Sequence, residues 1–336
     1  MKLLVTGGAG FIGSAFVRMA IAGSRAALVV NLDRLTYAGN LENLVPVAGD
    51  SRYRFVRGDI CDARLVDALV ADIRPDAIVH FAAESHVDRS ILSPAPVFEA
   101  NLRGTFTLLE AARLNRIPRF LHVSTDEVYG SIGPPAEADE NYPLRPSSPY
   151  SASKAGSDLL ALSYYVTYRV PVTVTRASNN YGPYQFPEKL IPLMLTNAFD
   201  GLPLPVYGDG MQIRDWLFVE DHCRAIFAAL EKGRPGEIYN IGGNCSLPNL
   251  EVVRRILSAT GRPDDLIRYV TDRPGHDRRY ALSGEKLARE TGWSPQVSFD
   301  EGLARTIEWY RSNADWVRHV KSGEYQSYYE LNYGNR

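Results

Sequence analysis

The amino-acid sequence predicts an α/β fold: a doubly wound parallel sheet with a smaller α/β lobe on its C-terminal side. Short apolar runs rich in β-branched residues alternate with segments of helical composition through the first half of the chain. This alternation ends near residue 177, and segments rich in proline, glycine and aromatic residues follow. Continuous apolar runs are typical of buried parallel strands, and strands that alternate with helices are typical of a doubly wound sheet.

The first half of the chain accounts for most of the sheet. Strands are expected at 2–6, 28–32, 53–57, 77–81, 120–124 and 172–176, and helices at 14–22, 63–73, 97–114 and 149–168. Residues 237–242 have the pattern of one more sheet strand. We therefore expect a first domain over 1–178 with a returning segment near 212–243, and a second lobe, interleaved with it, over 179–336.

The composition excludes several classes of protein. The 336 residues carry 37 Lys and Arg against 39 Asp and Glu, so no general positive field is available to hold a nucleic acid. No apolar run approaches the ~18–20 residues that cross a bilayer, and the chain begins directly on a predicted strand, so a cytoplasmic protein is expected. Cys61, Cys223 and Cys245 are too few and too scattered for a disulfide framework or a metal site.

Residues 7–13, with the sequence GGAGFIG, are the first functional signal. They satisfy both the G-x-x-G-x-x-G and the G-x-G-x-x-G patterns, and they lie between the first predicted strand and the first predicted helix. Small residues there let a pyrophosphate approach the backbone N–H groups at the helix N-terminus. This context predicts a Rossmann-type dinucleotide site in preference to a simple turn.

Acidic residues end the next two predicted strands. Asp33 has the spacing of an acid that accepts hydrogen bonds from an adenosine ribose and repels a 2′-phosphate, which favours NAD over NADP. Arg34 beside it weakens that preference. Asp59 and Ile60 follow the third strand and suit contact with the adenine edge, although an Asp at such a position is more often a helix cap.

Tyr150 and Lys154 are four residues apart in the predicted helix 149–168, which places them on one face. A neighbouring ammonium, helped by an oxidised nicotinamide, is expected to lower the pKa of the phenol so that it can take a proton from a sugar hydroxyl. Thr125 ends a predicted strand, and its hydroxyl can share the same substrate oxygen. Together the three residues predict a dehydrogenase-type catalytic centre.

These motifs resemble the extended short-chain dehydrogenase/reductase superfamily, in its sugar-nucleotide branch, over nearly the whole chain. Within that branch the sequence is most similar to the 4,6-dehydratases, because Asp126 and Glu127 directly follow Thr125 where related epimerases have small uncharged residues. The resemblance implies that Glu127 removes the C5 proton and that Asp126 protonates the departing C6 oxygen, which requires a protonated Asp126 at neutral pH. It also implies bound NAD as the cofactor and dTDP-glucose as the substrate.

The same resemblance assigns residues to each role. The expected catalytic residues are Thr125, Asp126, Glu127, Tyr150 and Lys154. The expected cofactor-binding residues are Gly7, Gly10, Phe11, Ile12, Gly13, Asp33, Asp59, Ile60, Ala82, Ala83, Ser85, Tyr150, Lys154 and Asn180. The expected substrate-binding residues are Ser85, Thr125, Asn179, Lys189, Leu190, Pro205, Tyr207, Arg214, Asn249, Arg273 and His276. The two arginines suit a diphosphate because guanidinium groups bind phosphate oxygens in pairs, whereas His276 has a structural role as an equal alternative.

Two other kinds of function fit part of this pattern. A UDP-glucuronate decarboxylase or a UDP-hexose 4-epimerase would share the dinucleotide site, but neither needs an acid and base pair for C5 and C6. A catalytically silent, dinucleotide-sensing protein would not need Thr125, Tyr150 and Lys154 to be intact.

The resemblance further implies a homodimer in which the helices at 97–114 and 149–168 of two copies form a four-helix interface. Their apolar residues fit such an interface, although burial inside one chain would give the same pattern. These residues are Phe98, Leu102, Leu108, Leu109, Leu159, Leu162 and Val166. The aromatic tail at 325–333 is expected to be structural.

Overall fold

The computed structural model describes residues 1–322 and 329, and it is organised around a seven-stranded sheet. The strands of this sheet are β1 (Lys2–Thr6), β2 (Leu28–Asp33), β3 (Tyr53–Arg57), β4 (Ala77–His80), β5 (Phe120–Thr125), β6 (Val172–Ala177) and β10 (Ile238–Ile241). They lie in the order β10, β6, β5, β4, β1, β2, β3, and every neighbouring pair is parallel. The predicted fold class is confirmed.

Helices cover both faces of this sheet. They are α1 (Phe11–Ala22), α2 (Ala63–Ile73), α5 (Thr105–Leu114), α6 (Pro149–Tyr168), α8 (Val219–Lys232) and α10 (Glu285–Thr291), while the short helices α3 (Val87–Leu92) and α4 (Ala95–Phe98) pack against α6. Successive strand residues point to opposite faces, so Leu3 packs in one core with Phe16 and Phe227 while Leu4 packs in the other with Leu108. Burial on both faces explains why these strands are continuous apolar runs.

The smaller lobe contains two short sheets and its own core. Its elements are β7 (Asn179–Tyr181), α7 (Leu190–Asp200), β8 (Leu204–Tyr207), β9 (Ile213–Phe218), β11 (Ser246–Pro248), α9 (Asn249–Thr260), β12 (Ile267–Val270), α11 (Phe299–Ser312) and α12 (Ala314–Val320). Strands β11, β9 and β7 form one sheet, and β12 pairs with β8 in the other. Within the expected returning segment 212–243, β9 stays in this lobe, whereas α8 and β10 pack on the main sheet.

The expected helix at 97–114 is interrupted. A π-helical turn, Glu99–Gly104, separates α4 from α5. At Gly104 a Cβ would lie 2.2 Å from Ile60 Cδ1, and the Asn101 amide nitrogen donates to the Glu84 carbonyl and to Ser153 Oγ. These long-range contacts favour the wider turn. Such turns occur often at functional sites, and this one carries residues that line the cavity described below.

The helix α6 begins and ends where the sequence predicts. Ser148 and Ser151 form a reciprocal capping box at its N-terminus, and Pro149 occupies the first turn, where its missing N–H costs nothing. The helix start is thus fixed by local sequence. This places Tyr150 in the first turn and Lys154 one turn later.

The apolar residues expected at a four-helix interface divide into two groups. Leu108 and Leu109 are fully buried in the core of the chain itself, which is the alternative given for these residues above. Leu102 and Leu162 are half-buried. Phe98, Leu159 and Val166 are exposed. The aromatic tail lies outside the described residues except for Tyr329, whose hydroxyl accepts from the Asn197 amide.

In the described part of the chain, no helix is both long enough and apolar enough to cross a membrane.

Candidate active site

A cavity of about 760 Å³ opens at the carboxyl ends of the parallel strands. The strand order changes direction between β1 and β4, and ligands of such sheets bind outside the strand ends at that point. The predicted residues on its wall are Gly7, Gly10, Phe11, Ile12, Gly13, Asp33, Asp59, Ile60, Ala82, Ala83, Ser85, Thr125, Asp126, Glu127, Tyr150, Lys154, Asn179, Asn180, Lys189 and Leu190. The structure therefore brings the whole predicted cofactor set and the whole predicted catalytic set together.

The glycine loop is shaped by close backbone contacts. Gly7 has φ +72°, and a Cβ there would lie 2.5 Å from the Ala82 nitrogen. A Cβ at Gly13 would lie 2.2 Å from the Gly7 carbonyl oxygen. Within the described chain, no side chain caps the N-terminus of α1. Its first N–H groups thus face the cavity end of the sheet as a ready site for a pyrophosphate.

Asp33 and its neighbours form the expected ribose end of the site. Asp33 accepts the Ala9 N–H on Oδ2 at 2.9 Å and the Leu35 N–H on Oδ1 at 2.8 Å. Each carboxylate oxygen has a further lone pair for a ribose hydroxyl. Arg34 pairs with Asp59 at 3.0 Å. Arg34, which was expected to weaken the preference for NAD, is therefore paired with an acid.

Several buried polar atoms of the wall residues have no hydrogen-bond partner among the described residues. These atoms are Ser124 Oγ, Asp126 Oδ2, Asn179 Oδ1, Gln185 Oε1, Trp216 Nε1 and His222 Nε2. An unsatisfied buried polar atom costs about 1–3 kcal/mol, so their concentration at one cavity indicates a polar ligand. With the glycine cradle and Asp33, the wall fits NAD and a hydroxyl-rich substrate.

The two consecutive carboxyl groups follow directly from the end of β5. Thr125 is the last residue of that strand, and a 3₁₀ turn, Asp126–Tyr129, begins immediately after it. The Thr125 hydroxyl donates to Asp126 Oδ1 at 3.2 Å, accepts the Glu127 N–H at 3.3 Å, and shares a hydrogen bond with the Tyr150 hydroxyl. The Thr125 hydroxyl thus links the phenol to the Asp126 carboxyl and to the backbone of Glu127.

Asp126 and Glu127 differ in their electrostatic surroundings. Burial, and then the neighbouring Glu127, raise the pKa of Asp126 well above its ordinary value. Burial also raises the pKa of Glu127, but Arg273, Lys189 and Arg214 oppose that rise. Asp126 is therefore suited to carry a proton, and Glu127 is the group that ionises more readily. This is the direction expected of an acid and base pair.

Tyr150 does not show the electrostatics expected from its motif. In the chain itself burial, and then Glu127, raise the pKa of Tyr150, whereas a lowered pKa was expected. Lys154 is buried and donates its Nζ to the Val123 carbonyl at 2.8 Å, and burial lowers its pKa to about 8. Helical spacing gives the shared face of Tyr150 and Lys154 but not the cost of burying them. The lowering of the Tyr150 pKa by Lys154 together with an oxidised nicotinamide stays a prediction.

The remaining substrate-binding residues lie off the cavity wall, on β8, β9, the start of α9 and the loop 271–279. They are Pro205, Tyr207, Arg214, Asn249, Arg273 and His276. Arg273 Nη1 lies 3.2 Å from Asp88 Oδ1, and the Tyr207 hydroxyl donates to Asp88 Oδ2 at 3.0 Å. This second group is joined to the cavity electrostatically, because Arg273 and Arg214 both act on Glu127.

Arg214 and His276 are buried and already have protein partners. Arg214 Nη2 donates to the Asp277 carbonyl at 2.9 Å, and its guanidinium lies 4.3 Å from the centre of the Tyr280 ring. His276 Nδ1 lies 2.6 Å from Asp272 Oδ1, and burial lowers the pKa of His276 to about 4. His276 is thus a neutral ring held in place by an acid, which fits the structural alternative given above.

Sequence reasoning missed several residues of the site. Asp88 lies three residues after the predicted residue Ser85, yet its bridging role depends on elements more than a hundred residues away. His222 lines the cavity and hydrogen-bonds to Asn180 Oδ1 at 2.9 Å. It lies in α8, far from every motif, and we find no sequence signal that could have identified it.

Comparisons with known proteins agree with this geometry. A sequence profile described as GDP-mannose 4,6 dehydratase matches residues 4–306. A dTDP-glucose 4,6-dehydratase of Shigella flexneri is 52% identical over 361 residues, with 100% of each chain covered. One of an Actinoplanes species is 56% identical over 321 residues, which cover 94% of this chain and 99% of the relative.

Solved structures give the same result. A dTDP-glucose 4,6-dehydratase of Streptomyces venezuelae, crystallised with NAD and the ligand TYD, has a TM-score of 0.93 and 55% identity, covering 96% of this chain and 100% of that chain. The enzyme of Bacillus anthracis in complex with NAD has a TM-score of 0.90 and 49% identity, also covering 96% of this chain and 100% of that chain. A UDP-glucose 4-epimerase of Thermus thermophilus with NAD is less similar, with a TM-score of 0.86 and 33% identity over 93% of this chain and 100% of that chain.

Proposed function

This chain belongs to the GDP-mannose 4,6-dehydratase family, and on that premise we propose that it converts dTDP-glucose to dTDP-4-keto-6-deoxyglucose and water with bound NAD. One observation carries the proposal: Asp126 accepts a hydrogen bond from the Thr125 hydroxyl, Glu127 is the next residue on the same cavity wall, and burial raises the pKa of both carboxyl groups. A dehydration needs this pair, whereas inversion at C4 does not.

The first step is oxidation at C4 of the glucosyl ring. Thr125 and Tyr150 share a hydrogen bond and are placed to hold the O4 hydroxyl, whose proton Tyr150 takes. Bound NAD supplies the hydride acceptor for C4, the hydride donor for C6 and, when oxidised, a positive charge that favours the phenolate. Lys154 contributes a second positive charge on the same helix face, and together they oppose the effect of burial on Tyr150.

The second step is elimination across C5 and C6. A ketone at C4 acidifies the C5 hydrogen, which Glu127 removes as the base. Asp126 gives its proton to the departing C6 hydroxyl, which leaves as water. Arg273, Lys189 and Arg214 oppose the rise in the pKa of Glu127, so Glu127 can ionise beside Asp126. Burial and the neighbouring Glu127 raise the pKa of Asp126 well above its ordinary value, so Asp126 keeps its proton.

The diphosphate is assigned to the basic residues of the substrate side. Lys189 Nζ donates to the Ser85 carbonyl at 2.8 Å and has two further donors for phosphate oxygens. Arg273 has a buried Nε with no partner among the described residues, although its Nη1 contacts Asp88. These groups, with Arg214, match the charge of a nucleotide diphosphate.

A substrate assay tests this function. Purified protein with NAD is given dTDP-glucose, UDP-glucose or UDP-glucuronate, and the products are followed by NMR. We expect a 4-keto-6-deoxy sugar from dTDP-glucose with no net consumption of NAD. An epimer from UDP-glucose or a pentose from UDP-glucuronate, with dTDP-glucose unchanged, would contradict the proposal and favour the related reactions.

We also propose a homodimer built on the exposed apolar side of α4 to α6. Phe98, Leu159 and Val166 are 41%, 58% and 67% exposed, and they lie on helices that pack against each other. Light scattering tests this, with the double variant L159E and V166E expected to halve the mass. The control is V45E, since Val45 is 68% exposed but lies elsewhere on the chain.

The cysteines support a cytoplasmic location, which we propose. All three are free thiols, and burial raises the pKa of Cys61 to about 11 and that of Cys223 to about 12. Unpaired protonated thiols suit a reducing compartment. Cell fractionation with an antibody against the chain tests the location, and recovery in a membrane or external fraction would overturn it.

A further inference from the structure

A buried charge cluster lies beside Lys154, between α6 and the sheet. Asp158, one helical turn after Lys154, is fully buried. Its Oδ2 lies 2.9 Å from Arg176 Nε, and its Oδ1 lies 3.3 Å from His122 Nε2. The proposed chemistry uses none of these three residues.

We propose that Asp158 is the counter-ion of Lys154, a positioning residue that keeps the lysine protonated inside the protein. Residues four apart on a helix are neighbours on one face. Within the described residues, no carboxylate lies within 4.0 Å of Lys154, whose Nζ is held by the Val123 carbonyl on β5. The inference rests on the role of Lys154 proposed above.

The charges that face Lys154 from each neighbouring element can be counted. Lys154 acts electrostatically on His80 of β4 and His122 of β5, and Asp158 of α6 acts on Lys154. Arg176 of β6 lies 2.9 Å from the Asp158 carboxylate. Burial lowers the pKa of His122 to about 4 and that of His80 well below its ordinary value, so both rings are neutral at physiological pH. Asp158 therefore acts on two cations, Lys154 and Arg176.

Lys154 and Arg176 respond differently when the charge around Asp158 changes. Arg176 cannot lose its proton in the pH range in which Lys154 titrates. A change in the surrounding charge therefore changes the protonation of Lys154. Burial lowers the pKa of Lys154 to about 8, and Asp158 opposes that effect. Loss of Asp158 is therefore expected to lower the pKa of Lys154 further. Loss of Arg176, a cation that lies 2.9 Å from the same carboxylate, is expected to raise it.

Two substitutions in the same ion pair separate this idea from a merely structural role. D158N and R176Q both break the contact between Asp158 and Arg176, so a structural role predicts the same kind of damage from each. The counter-ion role predicts opposite shifts of the alkaline limb of kcat, measured with saturating dTDP-glucose. We expect about one pH unit downward for D158N and about one upward for R176Q.

Y129F is the matched control. The Tyr129 hydroxyl accepts from Arg176 Nη1 at 2.9 Å and donates to Asn240 Oδ1, so this variant disturbs the same network without changing its charge. We expect its alkaline limb to stay within a few tenths of a unit of the unchanged enzyme. If one of the charge variants does not fold, the sign of the shift in the other decides.

The results of these experiments distinguish a failure of this inference from a failure of the proposed function. If the unchanged enzyme does not turn over dTDP-glucose, the proposed function fails. If it does, and the two variants shift the alkaline limb in the same direction or leave it in place, the counter-ion role is overturned while the function stands. Opposite shifts in the stated directions support both.

Discussion

On the cofactor side of the cavity the expected ligand contacts are backbone N–H groups and glycines, whereas on the substrate side they are cationic side chains that already have protein acceptors. A Cβ at Gly13 would lie 2.2 Å from the Gly7 carbonyl oxygen, so the cofactor side is set by the path of the chain. Lys189, Arg214 and Arg273 instead contact a carbonyl, another carbonyl and a carboxylate. A cofactor that stays bound fits the rigid side, and a substrate that turns over fits the side with exchangeable contacts.

The largest effect is expected where the two sides meet, at Glu127. E127Q keeps the size of the side chain but removes its basicity, so we expect elimination to fall by about 10²–10⁴-fold while oxidation at C4 still occurs. Absorbance of reduced nicotinamide reports the first step, and NMR of the product reports the second. E137Q is the control because Glu137 is exposed. Full dehydratase activity in E127Q would remove Glu127 as the base.

The rigidity of the cofactor side is tested by G13A. The added methyl group cannot be accommodated without moving the backbone of the loop, so we expect NAD recovered with the purified protein to fall at least about tenfold. G133A is the matched control, since a Cβ at Gly133 meets nothing within 4 Å. Nucleotide content after acid extraction is the measurement, and circular dichroism checks the fold. An unchanged NAD content would show that the glycine loop can shift its backbone and still bind NAD.

The exchangeable side is tested by D88N. Asp88 holds Arg273 and Tyr207 with its two oxygens, and it leaves most donors of the guanidinium for phosphate. Loss of a charge-assisted hydrogen bond costs about 1.5–3 kcal/mol, so we expect KM for dTDP-glucose to rise about tenfold or more, with kcat within about threefold.

A second Asp–Arg pair provides the control for D88N. Asp209 binds Arg278 through both oxygens, and both side chains are 57% exposed. D209N should leave KM unchanged, because exposed pairs contribute little. If D88N lowered KM, Asp88 would be a competitor of the diphosphate for Arg273, and our account of the substrate side would be wrong.

The same contrast explains what could be predicted from the sequence. The glycine loop, Asp33 and the pair Tyr150 and Lys154 are recognisable because each is a local pattern on one or two adjacent elements. The bounds of α6 were also predictable, since Ser148 and Pro149 determine its start. Features that depend on local sequence and on one helix period can therefore be recognised from the order of the residues alone.

Long-range contacts are what the sequence did not reveal. The break in the helix at 97–114 depends on Gly104 meeting Ile60, and the bridge at Asp88 depends on β8 and the loop 271–279. The raised pKa of Tyr150 depends on how deeply the fold buries it. Spacing along the chain carries no information about such desolvation, so it could not show this rise.

The smallest effect is expected at Arg34, on the outer edge of the cofactor side. Its side chain is 68% exposed and pairs with Asp59 at 3.0 Å. Such a pair contributes about 0–1 kcal/mol, so R34A should change the ratio of NAD to NADP affinity, measured by titration of cofactor-stripped protein, by no more than about threefold. D33N is the comparison, since Asp33 is the acid expected at the ribose. If R34A loses more NADP affinity than D33N gains, Arg34 and not Asp33 determines the choice of cofactor. The rigid cofactor side would then also contain a cation with exchangeable contacts.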